Sequence, residues 1–187
     1  MLKVAITGNI ASGKSQIENI IKSKGYVVFD TDEIAHNILD SISEFNGYDV
    51  FTDGKIDRKK LGKIVFSDSG IKKELEQIVH PKVKSEILNL FELNKEKKCV
   101  FISVPLLFEA GFEKIFDKVI LVTVDENMQL ERLMKRNNFS REEALLRIRS
   151  QISQSEKISK SDYVIENDGS IEELRIKTEK VISRLLC

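Results

Sequence analysis

Residues 8–15 read Gly8-Asn9-Ile10-Ala11-Ser12-Gly13-Lys14-Ser15. This is a complete G-x-x-x-x-G-K-[ST] pattern, in which a turn of backbone wraps a phosphate group. The glycines let N–H groups converge on an anion where a Cβ would clash. Lys14 is placed to reach β- and γ-phosphates, and the Ser15 hydroxyl to hold Mg²⁺. The flanks agree with the motif. Leu2–Thr7 is a short apolar run suited to a buried strand, and Ile17, Ile20 and Ile21 recur at helical spacing. A helix N-terminus therefore points its partial positive charge at the phosphates, and the chain reads as a binder of nucleoside triphosphate.

At 187 residues the length suits one domain with room for an insertion. Thirty basic and thirty acidic residues cancel, which removes any general argument for a nucleic-acid or membrane partner. No run approaches eighteen apolar residues, and no leader-like segment precedes the strand at Leu2. Cys99 opens an apolar run and Cys187 ends the chain. Two such cysteines fit no disulfide framework or metal site, so a reducing, cytoplasmic setting is expected.

Along the chain, strands and helices alternate. A second strand is predicted at Tyr26–Phe29, ending at Asp30-Thr31-Asp32, with a helix starting near Asp32. Residues 41–57 read as a loop. From Arg58 to about Lys97 the pattern is helical in three pieces, the last opened by Pro81 at a tolerated first-turn position. No strand is expected over roughly 40–97. Further strands are predicted at Cys99–Val104, Lys118–Val124 and Tyr163–Ile165. A helix follows the fourth strand. Ser140-Arg141-Glu142-Glu143 and Ser170-Ile171-Glu172-Glu173 are capping boxes, the first opening a helix expected to reach Ile152. The alternation predicts a five-stranded parallel sheet covered by helices on both sides.

Asp30 and Asp32 fall just past the carboxyl end of the second strand, the edge at which ligands bind in open parallel sheets. Two carboxylates there suit a base or a Mg²⁺ ligand; alternatively, Asp32 or Thr31 caps the following helix. Arg132, Arg136, Arg141, Arg147 and Arg149 crowd one segment between the fourth and fifth strands. Guanidinium groups suit the oxygens of a phosphoryl group, so this segment reads as a lid, or else as a solvated basic face laced with Glu131, Glu142 and Glu143. His36 and His80 have no companions at metal-ligand spacing. Pro105-Leu106-Leu107-Phe108-Glu109 reads by itself as an apolar wall beside a strand end, with Glu109 exposed.

Taken together, these motifs resemble the dephospho-coenzyme A kinase family through nearly the whole chain. The quoted residues are the phosphate loop, Asp30-Thr31-Asp32-Glu33-Ile34-Ala35, His80-Pro81-Lys82-Val83, Pro105–Glu109, Gln129 with Arg132 and Arg136, then Arg147, Gln151, Lys157, Asp162 and Asn167. The resemblance implies a three-layer α/β/α phosphate-loop kinase core (1–40, 98–126 and 160–187), a helical acceptor-binding insertion (41–97) and a lid (127–159). It implies transfer of the ATP γ-phosphate to the ribose 3′-hydroxyl of dephospho-coenzyme A, the last step of coenzyme A synthesis, with Mg²⁺ as cofactor and a monomeric protein.

By the same resemblance Asp32 is the base, Lys14 and Arg136 complete the catalytic set, and Ser15 with Asp32 holds the metal. Gly8, Asn9, Ile10, Ala11, Ser12, Gly13, Lys14, Ser15, Gln16, Arg147 and Asn167 bind ATP. Asp30, His80, Pro105, Leu106, Leu107 and Glu109 border the acceptor. The chain departs from the family at Asn9 and Ala11, where glycine is usual, and at Gln16, where threonine is usual. Asn9 tolerates positive φ and Ala11 is small, so the cradle is expected to survive. Ser103 leaves the third strand end without an acidic metal ligand, so Mg²⁺ is expected to depend on Ser15, water and Asp32. A GTPase is excluded by the lack of D-x-x-G and by Asn94-Lys95-Glu96-Lys97, which has no final Asp.

Overall fold

Val4, Ala5 and Ile6 are completely buried, as expected of a central strand with a layer on each face. In the computed structural model, which describes residues 1–186, this strand is β1 (Leu2–Gly8). Cys187 lies outside the described residues. β1 pairs in parallel with β5 (Cys99–Ser103) on one side and β6 (Lys118–Thr123) on the other. β2 (Val28–Asp30) adds beyond β5, and β7 (Tyr163–Glu166) beyond β6, giving the order β2-β5-β1-β6-β7. The connections leaving β1 and β5 thus diverge to opposite sides, and the loop after β1 opens at that switch point. Register brings Asp30, Ser103 and Ile6 abreast at one end of the sheet.

α1 (Lys14–Ser23) and α8 (Ile171–Leu186) cover one face. Ile17, Ile20 and Ile21 from α1 meet Leu174, Val181 and Ile182 from α8 over Val4, Ile6, Phe101, Ile120, Val122 and Ile165. Each such aliphatic side chain contributes about 2 kcal/mol when fully buried. α7 (Gln154–Ser159) packs on β6. Both capping boxes form: Ser140 and Glu143 exchange bonds at the start of α6 (Arg141–Arg149), and Ser170 with Glu173 does so at α8. α6 stops at Arg149 rather than at Ile152, because Ser153 caps a separate helix, α7.

The chain divides into two compact units, one of Met1–Asp30 with Asn94 onward, the other of Thr31–Leu93. The second holds α2 (Thr31–Asp40), α3 (Arg58–Ser67) and α4 (Ser69–Leu93), with α2 and α3 each packed on α4. Two expectations fail here. Residues 41–57 are not all loop, since β3 (Phe51–Thr52) and β4 (Lys55–Ile56) form a short antiparallel hairpin. Asp53 and Gly54 turn it with φ of 51° and 74°, conformations that Asp and Gly accept readily. Pro81 does not open a helix but lies inside α4. Its ring removes one backbone bond, while Val79, Val83, Ile87 and Phe91 keep one buried face running through it.

The seam between β6 and β7 carries an ion pair. Lys118 Nζ donates to Asp162 at 2.8 Å, and the Val119 N–H donates to the other carboxylate oxygen at 2.8 Å. Burial works to raise the Asp162 pKa, but these bonds outweigh it and hold the carboxyl below its ordinary range. The same bond raises the Lys118 pKa. A depressed carboxyl contributes stability that is present above its unfolded pKa, about 3.9, and lost as pH falls through the folded value. The melting-temperature gap between wild type and Asp162→Asn is therefore expected to be constant near neutral pH and to shrink below about pH 4. An equal gap at about pH 3 and pH 7 would refute this.

Candidate active site

The phosphate loop joins β1 to α1. Gly13 takes φ 89° at the helix start, with no side chain capping α1 and no acidic residue in its first turn. The free N–H groups there are open to an anion. Both glycines are required by space. A Cβ on Gly8 would lie 2.6 Å from Ser12 Oγ and 2.7 Å from the Val122 carbonyl oxygen; one on Gly13 would lie 2.0 Å from Asn167 Nδ2. The non-glycine residue of the loop with positive φ is Ala11, at 62°, whereas Asn9 is not among those with positive φ. So alanine, not asparagine, adopts the conformation that favours glycine, at about 1–2 kcal/mol. Asn9 is used differently: its side-chain amide donates to the Ile152 carbonyl at 3.0 Å. Asn9 Oδ1 and Ser12 Oγ are buried without a hydrogen-bond partner.

Lys14 is largely buried, and its ammonium pairs with Glu18 Oε1 at 2.8 Å. It also donates to Ser103 Oγ, and Ser103 Oγ donates to the same Glu18 oxygen at 2.7 Å. Ser15 and Gln16 are exposed beside it. Asn167, which follows β7, is buried and spends its amide on the Ser12 carbonyl at 2.8 Å and on Gln16 Oε1 at 3.3 Å. Its place is behind the loop, holding its shape.

The arginine segment forms α5 (Glu126–Asn137) and α6. Ile10 and Ala11 pack against its apolar side, built on Leu130, Leu133 and Ala144. Both polar groups of the Ile10 backbone are taken: its N–H donates to Gln151 Oε1 at 2.7 Å, and its carbonyl accepts from Gln129 Nε2 at 2.8 Å. Arg132 is half-buried. Arg136 is exposed and donates to Asn137 Oδ1, while the Arg147 guanidinium stacks 4.5 Å over the Phe139 ring.

Pro105–Glu109 follows β5. Leu107 is buried, Pro105 and Phe108 half-buried and Leu106 exposed. Glu109 is not the exposed end of an apolar wall. It accepts from the Ile152 N–H at 3.1 Å and pairs at 2.8 Å with Lys157, whose side chain is fully buried. Asp30 ends β2 beside Ser103. In the second unit, α2 begins at Thr31, so Asp32 stands exposed within the first helical turn, past the capping position. His80 is half-buried on α4. A groove of about 420 Å³ between α2 and α4 is lined by Ile34, Ile38, Lys82 and Glu86 among others. The sequence pattern carried no signal for Glu18 beyond its place four residues after Lys14; the resemblance singles out Glu109 and Lys157 but not their pairing.

A parallel sheet with a phosphate loop at its switch point and arginine-bearing helices beside that loop defines a P-loop kinase fold. The family model described as "Dephospho-CoA kinase" matches residues 2–173. The dephospho-CoA kinase of Oceanobacillus iheyensis is 40% identical, over 98% of this chain and 97% of its own length. That of Fusobacterium nucleatum is also 40% identical, over 95% of each. The solved dephospho-CoA kinase of Campylobacter jejuni superposes with TM-score 0.75 at 37% identity, covering 98% of this chain and 96% of its own. The chain belongs to the dephospho-CoA kinase family. A shikimate kinase from Acinetobacter baumannii, TM-score 0.59 at 16% identity, shares the fold alone.

Two glycines allow the loop geometry to be tested. Gly25 also has positive φ, 83°, but a Cβ there would meet nothing within 4 Å. Gly25→Ala should therefore lose only the left-handed penalty, about 1 kcal/mol. Gly13→Ala should lose clearly more in urea melts, together with nucleotide binding, because Asn167 must also move. Equal losses for the two variants would show that Asn167 does not brace the loop.

Proposed function

We propose that this chain transfers the γ-phosphoryl group of ATP to the ribose 3′-hydroxyl of dephospho-coenzyme A, giving coenzyme A and ADP. The observation that supports the reading is the loop itself: a bare helix N-terminus with Lys14 as the first residue of α1, in a chain of this family. Phosphoryl transfer asks little covalent chemistry of a protein and much positioning. The loop N–H groups and Lys14 hold the β- and γ-oxygens. Gly8 to Gln16 shape the cradle, and Asn167 contributes by fixing Ser12 and Gly13.

Asp32 orients the acceptor hydroxyl and takes its proton, a role for which its place past β2 and its exposure are suitable. Asp30, His80 and Pro105–Leu107 border the acceptor. The α2–α4 groove, apolar along Ile34 and Ile38 with Lys82 at its edge, offers the second unit's own surface for part of it. Glu109 is the remaining residue assigned to the acceptor, fixed within the first unit by its pair with Lys157. Arg136 and Arg147 meet the nucleotide when the lid engages it; Arg136 is exposed and free to reorient. Residues 41–97 act as the acceptor-binding insertion and 127–159 as the lid.

Ser15 and Asp32 would hold Mg²⁺. Hydroxyl and carboxylate oxygens are the donors this hard cation accepts, and it commonly takes only one or two from a protein. When bound, it neutralises phosphate charge. No described helix is long and apolar enough to cross a membrane; cytoplasmic location and a monomeric state are part of the proposal.

Coupled ADP release with dephospho-coenzyme A, nucleoside monophosphates or water as acceptor tests the reading, and only the first should support turnover. Lys14→Ala should lose ~10²–10³ in rate, the usual loss of one transition-state donor. Asp32→Asn should bind both substrates but turn over ~10²–10⁴-fold more slowly. Full activity of Asp32→Asn would remove it from the mechanism.

A further inference from the structure

Lys14 is held from two sides, by Glu18 and by Ser103. Glu18 lies one helical turn after it, on the same face of α1. The Glu18 side chain is almost wholly buried, and one of its oxygens accepts from both the Lys14 ammonium and the Ser103 hydroxyl. Since Lys14 also donates to Ser103, the three groups close a triangle. Ser103 stands in register with Ile6 of β1 and Asp30 of β2. The triangle therefore sits at the strand ends, directly under the phosphate loop.

A buried carboxylate needs donors, and Glu18 has two. Those donors belong to the loop lysine and to the strand-end position at which this chain has serine in place of an acid. We propose that Glu18 is a positioning residue for phosphoryl transfer: from α1 it supplies the buried negative charge that β5 lacks at Ser103, and it fixes the Lys14 ammonium at the mouth of the loop. This rests on Lys14 contacting the phosphates. An ammonium has three donors. One goes to Glu18 and one to Ser103, which leaves the third for a phosphate oxygen without breaking the triangle. Lysine is a flexible cation, so holding it in advance removes the reorganisation that would otherwise accompany catalysis.

The test compares wild type with Glu18→Gln, Ser103→Asp and the double variant, by kcat, KM for ATP and Mg²⁺ dependence. Glu18→Gln keeps the shape but loses the charge. It should lower kcat by at least ~10-fold, in the range that small misplacement of a catalytic group produces, with KM for ATP within about threefold. Adding Ser103→Asp should return kcat to within about threefold of wild type, because the charge reappears on the strand. A merely structural Glu18 would not be rescued by a charge at position 103.

Normal kcat for Glu18→Gln, or no recovery in the double variant, overturns the proposal. So does a defect abolished by raising Mg²⁺, which would make Glu18 a group serving the metal. If Glu18→Gln melts below the assay temperature, the double variant and Glu18→Asp are read instead. Glu18→Asp withdraws the carboxylate by one methylene and should show the same kcat loss; normal kcat there counts against the proposal. An active Lys14→Ala would overturn the phosphate contact itself. Inactive Lys14→Ala beside normal Glu18→Gln removes only Glu18.

Discussion

The first unit is organised around a loop that presents backbone N–H groups at a bare helix N-terminus. That requires a rigid strand behind it and an uncapped helix ahead. β1 is rigid because it is buried from Val4 to Ile6 between two parallel neighbours. α1 can be left uncapped because Ile17, Ile20 and Ile21 anchor it on the sheet. The stabilisation lost at the cap, about 1 kcal/mol, is small beside three buried isoleucines. The helix end is thereby left free for function.

The same unit holds one fully and one largely buried lysine, and each sits against one glutamate: Lys157 with Glu109, and Lys14 with Glu18. Such pairs seldom add much stability over an apolar replacement, but removing one partner is strongly destabilising. Their common feature is geometric. One pair lies under the loop. The other ties the segment after β5 to α7 and, through the Ile152 N–H, to the strand of chain that also binds Asn9. Position, more than stability, is what these charges supply.

The five-strand sheet was legible in the sequence because each strand is a short β-branched or apolar run bounded by turn residues. The capping boxes were legible because Ser and Glu three apart have one obvious use. Pro81 misled because local chemistry favours a helix start there, while a continuous buried face carried the helix through it. The hairpin at 51–56 is too short for any periodicity to reveal. In the site, the motif disclosed the loop and Lys14 but not Glu18, since a glutamate on a helix normally reads as solvent-facing. Asn9 and Ala11 were legible as departures from glycine. Which one carries the left-handed turn was not legible: it is Ala11, while the Asn9 amide reaches the Ile152 carbonyl, over a hundred residues away.

The attachment of the arginine-bearing helices to the loop follows from the same accounting of polar groups. Ile10 lies at the crest of the phosphate loop, where its N–H and carbonyl would otherwise face solvent or ligand. Gln151 and Gln129 take both. Any displacement of α5 or of the segment after α6 must either carry the loop with it or leave partly buried groups unpaired, at about 1–3 kcal/mol each. The apolar contact of Ile10 and Ala11 with Leu130, Leu133 and Ala144 acts in the same direction. The base of the arginine-bearing segment is therefore part of the loop's scaffold. What projects from it differs in kind: Arg136 is exposed, and Arg147 stacks over the Phe139 ring, a contact worth about 1 kcal/mol. In the proposed reaction the exposed Arg136 turns toward a phosphate while the backbone beneath it stays in place.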